Sequence, residues 1–126
     1  MKKTQRPVSP HVTIYAFPIT ALTSITNRVT GVALSVGAVG LGTAELLATG
    51  SGGSVALMQE IAAMGPVVSS IAKFSVAFPC IYHYIGGLRH MAWDRYPDTL
   101  TNIGVEKASY ALVGTSTLLS LGLLFV

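Results

Sequence analysis

Tyr82-His83-Tyr84-Ile85-Gly86-Gly87-Leu88-Arg89-His90 closes a long apolar run and sets two imidazoles seven residues apart. On an α-helix that spacing is about two turns, so both rings share one face. Gly86 and Gly87 lie between them and expose bare backbone on that face. An imidazole in lipid is unfavourable unless it has a partner. Beside a glycine surface it reads as an axial ligand for a flat cofactor that approaches the main chain closely. The competing reading of His83 is a hydrogen bond to a neighbouring helix. For His90 the competing reading is an ordinary interfacial histidine.

A second pair is Ser24 and Arg28, at i and i+4, near the start of an earlier apolar run. A capping serine and a snorkelling arginine would explain them. The chemical reading is a small polar site for a carbonyl headgroup. A hydroxyl and a five-donor cation can hydrogen-bond a quinone oxygen and carry its developing negative charge. Arg28 sits at the basic end of its segment, as Arg89 and His90 sit at the basic end of theirs, so these groups share one level. A haem held by His83 could turn its carboxylates toward that level, with Arg28 and His90 as propionate partners. A second axial ligand is missing: His11 lies in a polar arm, His90 is on the same helix, and the methionines offer no opposing position. The other ligand must therefore come from another subunit, and this chain supplies half of a cofactor site.

Three apolar segments, at about 25–49, 66–93 and 107–126, position these residues. Each has the ~20 residues needed to cross a bilayer as a helix. Nothing alternates with period two, so the expected fold is all-α, with three transmembrane helices. Residues 1–19 form an extended polar arm, interrupted by Pro7, Pro10 and Pro18. Gly50-Ser51-Gly52-Gly53-Ser54 reads as a turn between spans, with Gly65-Pro66 starting the next helix. Trp93 and Tyr96 mark an interface at the end of the second span. Gly31, Gly37, Gly40 and Gly42 allow close helix contact in the first. Glu45 and Lys73 fall near the opposite interface, where snorkelling accounts for them.

Of 126 residues, 51% are hydrophobic and 10% charged, and mean hydropathy is +0.60. Soluble domains carry roughly 25% charged residues, and a core this small could not hide so much apolar surface. The net charge of +3 comes from scattered residues without interleaved aromatics, which argues against a nucleic-acid partner. Lys2, Lys3 and Arg6 precede the first span, and Arg89, Arg95 and Lys107 surround the loop after the second. Between the first two spans stands Glu60, with no Lys or Arg. Three crossings put both basic regions on one side, so the N-terminus is expected on the matrix or cytoplasmic side. The single Cys80 forms no internal disulfide and reads as a small apolar helix residue. Met1-Lys2-Lys3 leads into polar, proline-rich residues, so neither a cleavable signal nor a mitochondrial presequence is expected in the numbered chain.

Arg6-Pro7-Val8-Ser9-Pro10-His11-Val12-Thr13-Ile14-Tyr15 resembles the opening of the large cytochrome b anchor subunit of succinate dehydrogenase (respiratory complex II). Ser24-Ile25-Thr26-Asn27-Arg28-Val29-Thr30-Gly31 is similar to that family's first-helix signature. Lys73-Phe74, Phe78-Pro79, Tyr82-His83, Arg89-His90 and Trp93-Asp94 follow its second helix in order and spacing. The family pattern has His just before the signature arginine and Asn-Gly after the haem ligand. This chain has Asn27 and Gly86-Gly87.

The resemblance implies a three-helix subunit that pairs with a small anchor subunit and holds flavoprotein and iron–sulfur subunits on the membrane. It implies His83 as the iron ligand of haem b, Ser24, Arg28 and Ile25 as ubiquinone contacts, and Arg28 and His90 near the haem propionates. Electrons would pass from the iron–sulfur subunit to ubiquinone. No flavin or dicarboxylate site is expected in this chain. The implied location is the mitochondrial inner membrane, or a bacterial plasma membrane. Three alternatives stand beside it: a haem-free structural subunit, the anchor of a fumarate reductase, and a two-haem carrier. The last needs paired histidines near both faces, and the outer side has none.

Overall fold

Pro18 opens the first helix. Its ring fixes φ at −72°, with ψ at 148°, so the chain enters extended and turns helical at the next residue. In the computed structural model, which describes residues 14–48 and 52–125, α1 runs Ile19–Leu47. A second helix, α2 (Gly53–Ala63), starts after Gly52, whose φ of 85° suits a residue without Cβ. Gly65, at φ 103°, turns the chain into α3 (Pro66–Arg95). Pro66 occupies the first helical position, where its missing N–H leaves nothing unpaired. After the 3-10 turn Pro97–Thr99 comes α4 (Asn102–Gly122), capped by the Thr101 hydroxyl, which accepts from the Gly104 N–H at 3.1 Å.

These boundaries correct the sequence reading in three places. The first helix begins at Ile19, inside the expected arm and well before 25, because Pro18 rather than the first apolar run sets the start. Ser24 therefore lies inside the helix and caps nothing. The turn expected at 50–54 gives way to helix at Gly53, where the 11-residue α2 begins. The third expected span begins at Asn102, ahead of 107, because Thr101 is the cap. Residues 1–13 of the arm, with His11, and the last residues of the spans expected to end at 49 and 126 lie outside the described residues.

Glu45 receives a role the sequence did not suggest. The Ser54 N–H donates to its Oε2 at 2.8 Å, placing a carboxylate at the amino end of α2, where unpaired N–H groups and the helix dipole favour an anion. The contact also pins the turn between α1 and α2.

α3 packs against both α1 and α4, and α1 meets α4. The interior they share is largely hydroxyl. Thr23, Thr30, Ser109, Ser116 and Ser120 are buried, whereas the buried apolar side chains are Tyr82 and Leu112. Outside, Val29, Val32, Val36 and Val39 are 60–70% exposed. A water-soluble bundle hides its aliphatic face. This distribution is the reverse, and it suits lipid, where small polar residues let helices approach and bond across the interface. Among the described residues two helices are long and apolar enough to cross a membrane, Ile19–Leu47 and Asn102–Phe125. At 30 residues α3 is also long enough, but Lys73, Arg89, Asp94 and Arg95 make it more polar.

Candidate functional site

His83 lies on the face of α3 that meets α1. Its Nδ1 is 3.0 Å from the main-chain carbonyl of Asn27. A carbonyl only accepts, so Nδ1 carries a proton, and in the neutral ring Nε2 is then the nitrogen with the lone pair. Thr30 stands beside this contact. Its hydroxyl donates to the same Asn27 carbonyl at 2.9 Å, and its Oγ1 is 3.5 Å from His83 Nδ1. The hydrogen bond named above as the competing explanation of His83 is thus present, but it uses one ring nitrogen and leaves the other free of any hydrogen bond among the described residues.

Glycine makes this approach possible. A Cβ added to Gly31 would stand 2.8 Å from His83 Cε1. One turn away the relation is reversed, because a Cβ on Gly86 would collide with the Asn27 side-chain oxygen. The imidazole fills the notch at Gly31 while the Asn27 amide fills the notch at Gly86. Of the two glycines read as one bare surface, Gly86 is therefore consumed by helix packing. Gly87 meets nothing within 4 Å of its Cβ direction and remains open. The shelf available between His83 and His90 is Gly87 alone.

Asn27 Oδ1 is buried with no hydrogen-bond partner among the described residues. With Oδ1 turned into the α1–α3 seam, the side chain keeps only its neutral Nδ2 donors for any other partner, and it brings no positive charge. Arg28 is exposed and Ser24 half-buried on α1, with Ile25 46% exposed beside them. His90 is exposed, with its ring edge-on to Trp93 at 5.4 Å between centroids. Among the described residues no hydrogen bond joins Ser24, Ile25, Arg28 or His90 to His83. The fold puts Ser24 and Arg28 on the two turns of α1 that carry the inward-facing Thr23 and Asn27, without closing a cavity around them. A cleft of about 500 Å³ does exist, lined by Met58, Ile61, Lys73 and Leu123 among others, but it includes none of the expected site residues.

A polar junction that the sequence reading passed over ties the three long helices together. The Tyr82 hydroxyl donates to the Thr23 carbonyl at 3.1 Å. Thr23 Oγ1 lies 3.2 Å from Ser109 Oγ, which also receives Arg89 Nη1 at 3.3 Å. The Arg89 guanidinium stacks over Trp93 at 4.6 Å, and its Nε is buried without a partner among the described residues. The serines at 109, 116 and 120, four or seven residues apart in an apolar helix, were the available sequence signal for this interior face.

The residues present suit a haem on one side. A neutral imidazole whose Nδ1–H is held by a carbonyl is the usual state of a histidine that ligates through Nε2. Among the described residues no group of three or more His, Cys, Asp or Glu side chains could hold a metal ion by themselves.

Residues 2–123 match the family described as succinate dehydrogenase/fumarate reductase transmembrane subunit. The chain is 35% identical over 126 residues to the mitochondrial succinate dehydrogenase cytochrome b560 subunit of Dictyostelium discoideum, covering 100% of this chain and 65% of that protein. It is 36% identical over 118 residues to the Bos taurus protein of the same name, covering 94% of this chain and 69% of the relative. The succinate dehydrogenase cytochrome b556 subunit of Paracoccus denitrificans is 31% identical over 128 residues, with 96% and 91% covered. The chain spans about half to two thirds of the length of the mitochondrial relatives it matches.

Proposed function

The chain belongs to the succinate dehydrogenase/fumarate reductase transmembrane subunit family, and from that membership we propose that it is the membrane-anchoring cytochrome b subunit of a succinate–ubiquinone oxidoreductase. Its place is a membrane of mitochondria or bacteria, and on this reading the mitochondrial inner membrane. α1, α3 and α4 are the three crossings, with the amino terminus on the matrix side. The contact of α3 with both α1 and α4 supports its crossing beside them. The eleven-residue α2 is too short to span and lies on the opposite face.

The observation that carries the proposal is the Nδ1 contact of His83 with the Asn27 carbonyl, because it leaves Nε2 as a neutral, oriented lone pair. His83 would hold the iron of haem b, with the second axial ligand from a small anchor subunit. Arg28 and His90 would face the propionates. The haem supplies a one-electron reservoir near the quinone.

Ser24 and Arg28 would donate hydrogen bonds to a ubiquinone carbonyl, with Ile25 packing on the ring. As the quinone takes two electrons, charge grows on that oxygen, and a fixed guanidinium is better placed to stabilise it than mobile water. Arginine does not give up its proton, so the protons of ubiquinol arrive through water or the Ser24 hydroxyl. The half-open position of Ser24 and Arg28 supports a site completed by other subunits, the iron–sulfur subunit that delivers electrons among them. Succinate oxidation would belong to the flavoprotein partner.

A reduced-minus-oxidised spectrum of the purified complex tests the haem assignment. The expected result is a b-type band that changes in His83→Tyr. An unchanged band in that variant rejects His83 as ligand, and no band in the parent complex favours the haem-free structural reading.

The quinone assignment predicts a split between two activities. Arg28→Leu should lower succinate–quinone activity roughly tenfold or more, the scale of one hydrogen bond to a charged group, and Ser24→Ala should lower it less. Succinate oxidation with a soluble dye should survive in both. Equal loss of the two activities points to failed assembly and defeats the assignment. A complex that runs fumarate reduction faster than succinate oxidation would favour the fumarate reductase alternative.

A further inference from the structure

We infer that Thr30 is a positioning residue for the haem: by competing for the Asn27 carbonyl, its hydroxyl limits how strongly the His83 Nδ1–H is drawn toward that oxygen, and so sets the donor strength of Nε2. The inference rests on His83 being the iron ligand.

Two donors converge on one oxygen. The Thr30 hydroxyl reaches the Asn27 carbonyl at 2.9 Å and His83 Nδ1 reaches it at 3.0 Å. That carbonyl also belongs to the hydrogen-bond ladder of α1, so its lone pairs are fully engaged. Sharing an acceptor weakens each bond to it. Thr30 Oγ1 keeps lone pairs that can accept, but its 3.5 Å separation from Nδ1 is at the limit of a hydrogen bond, against 3.0 Å from Nδ1 to the carbonyl. Competition therefore outweighs acceptance. Thr30 is 5% exposed, so water does not replace its hydroxyl when it is removed.

The consequence follows from what controls an imidazole ligand. A stronger Nδ1–H···O bond makes the ring more basic at Nε2 and favours the ferric state. Thr30→Val keeps the shape, deletes the competing donor and leaves the carbonyl to His83. It should lower the haem midpoint potential, shifting the ferric/ferrous equilibrium on the order of threefold, about 30 mV at 59 mV per tenfold for one electron. Thr30→Ser keeps the hydroxyl and should titrate with the parent.

The test is a redox titration of the b-type band in the intact, purified complex carrying each variant. A lowered midpoint in Thr30→Val with the parent value in Thr30→Ser supports the inference. An unchanged midpoint in Thr30→Val overturns it, and so does a raised one, which would make Thr30 an acceptor from Nδ1. If Thr30→Val loses the haem, Thr30→Ser decides: haem retained at the parent potential supports the hydroxyl's role, and haem lost again assigns the effect to packing and overturns it. Failure of the underlying reading is separate, because it shows as an unchanged b-type band in His83→Tyr.

Discussion

Gly31→Ala is expected to lower haem occupancy of the complex on the order of 10–100-fold in affinity, and Gly31→Val to abolish it. The new methyl would stand 2.8 Å from Cε1 and 3.3 Å from Nδ1 of His83, against the 3.5–4.0 Å of an ordinary carbon contact. Something must move, and each route is obstructed. If the imidazole swings away, it leaves the Asn27 carbonyl that fixes its protonated nitrogen, and loss of such an outer partner typically weakens metal binding by that factor. If α1 retreats from α3, the buried bond from Tyr82 to the Thr23 carbonyl must stretch, two turns from the notch. Gly37→Ala is the control, since a Cβ there meets nothing within 4 Å. Measured as haem per complex, Gly31→Ala should fall and Gly37→Ala should not. Full haem and a parental spectrum in Gly31→Ala would show that the ring tolerates the methyl and that the notch has no part in ligation.

That notch was only half legible beforehand. His83 and the nearby glycines were visible as residue types at a helical spacing, and they led to an imidazole beside bare backbone. Which glycine meets which group was not visible, because it depends on how α1 rotates against α3. The glycine under the ring proved to be Gly31, from another helix, while Gly86 receives Asn27. The Asn27 carbonyl is a main-chain atom, so no residue type could announce it. The same limit explains the boundaries. Apolar composition locates a span, but Pro18 and Thr101 start the helices, and both lie ahead of the runs read as spans. α2 escaped notice because glycines flank it, and a short apolar run between turn signals does not reveal whether it coils or folds. Ile25 and Arg28 lie on the first helix as expected and Ser24 lies inside it rather than at its cap, and on the proposed reading their surroundings include surfaces of other subunits.

Tyr82→Ala should destabilise the subunit by about 3–5 kcal/mol, the range for deleting a large buried ring. Tyr82 is 1% exposed, the largest fully buried side chain, at the point where α1, α3 and α4 converge. Its ring continues a ladder along α3, with centroids 5.6 Å apart for Phe74 and Phe78 and 5.4 Å for Phe78 and Tyr82. Its hydroxyl adds the bond to Thr23, one residue before Ser24. Packing and polar contributions can be separated, because Tyr82→Phe keeps the ring. In a membrane an interhelical hydrogen bond averages about 0.6 kcal/mol, so the phenylalanine variant should stay assembled, with thermal dissociation shifted only slightly. Repacking is limited for the alanine variant, since most of the buried side chains are threonine and serine, too short to fill the void. The measurement is thermal dissociation of the solubilised complex, read by loss of this chain from the assembly. If Tyr82→Ala dissociates within about 1 kcal/mol of the parent, the three helices are held by partners rather than by their own junction. In that case the register that places Thr30 and Gly31 against His83 would be set from outside the chain.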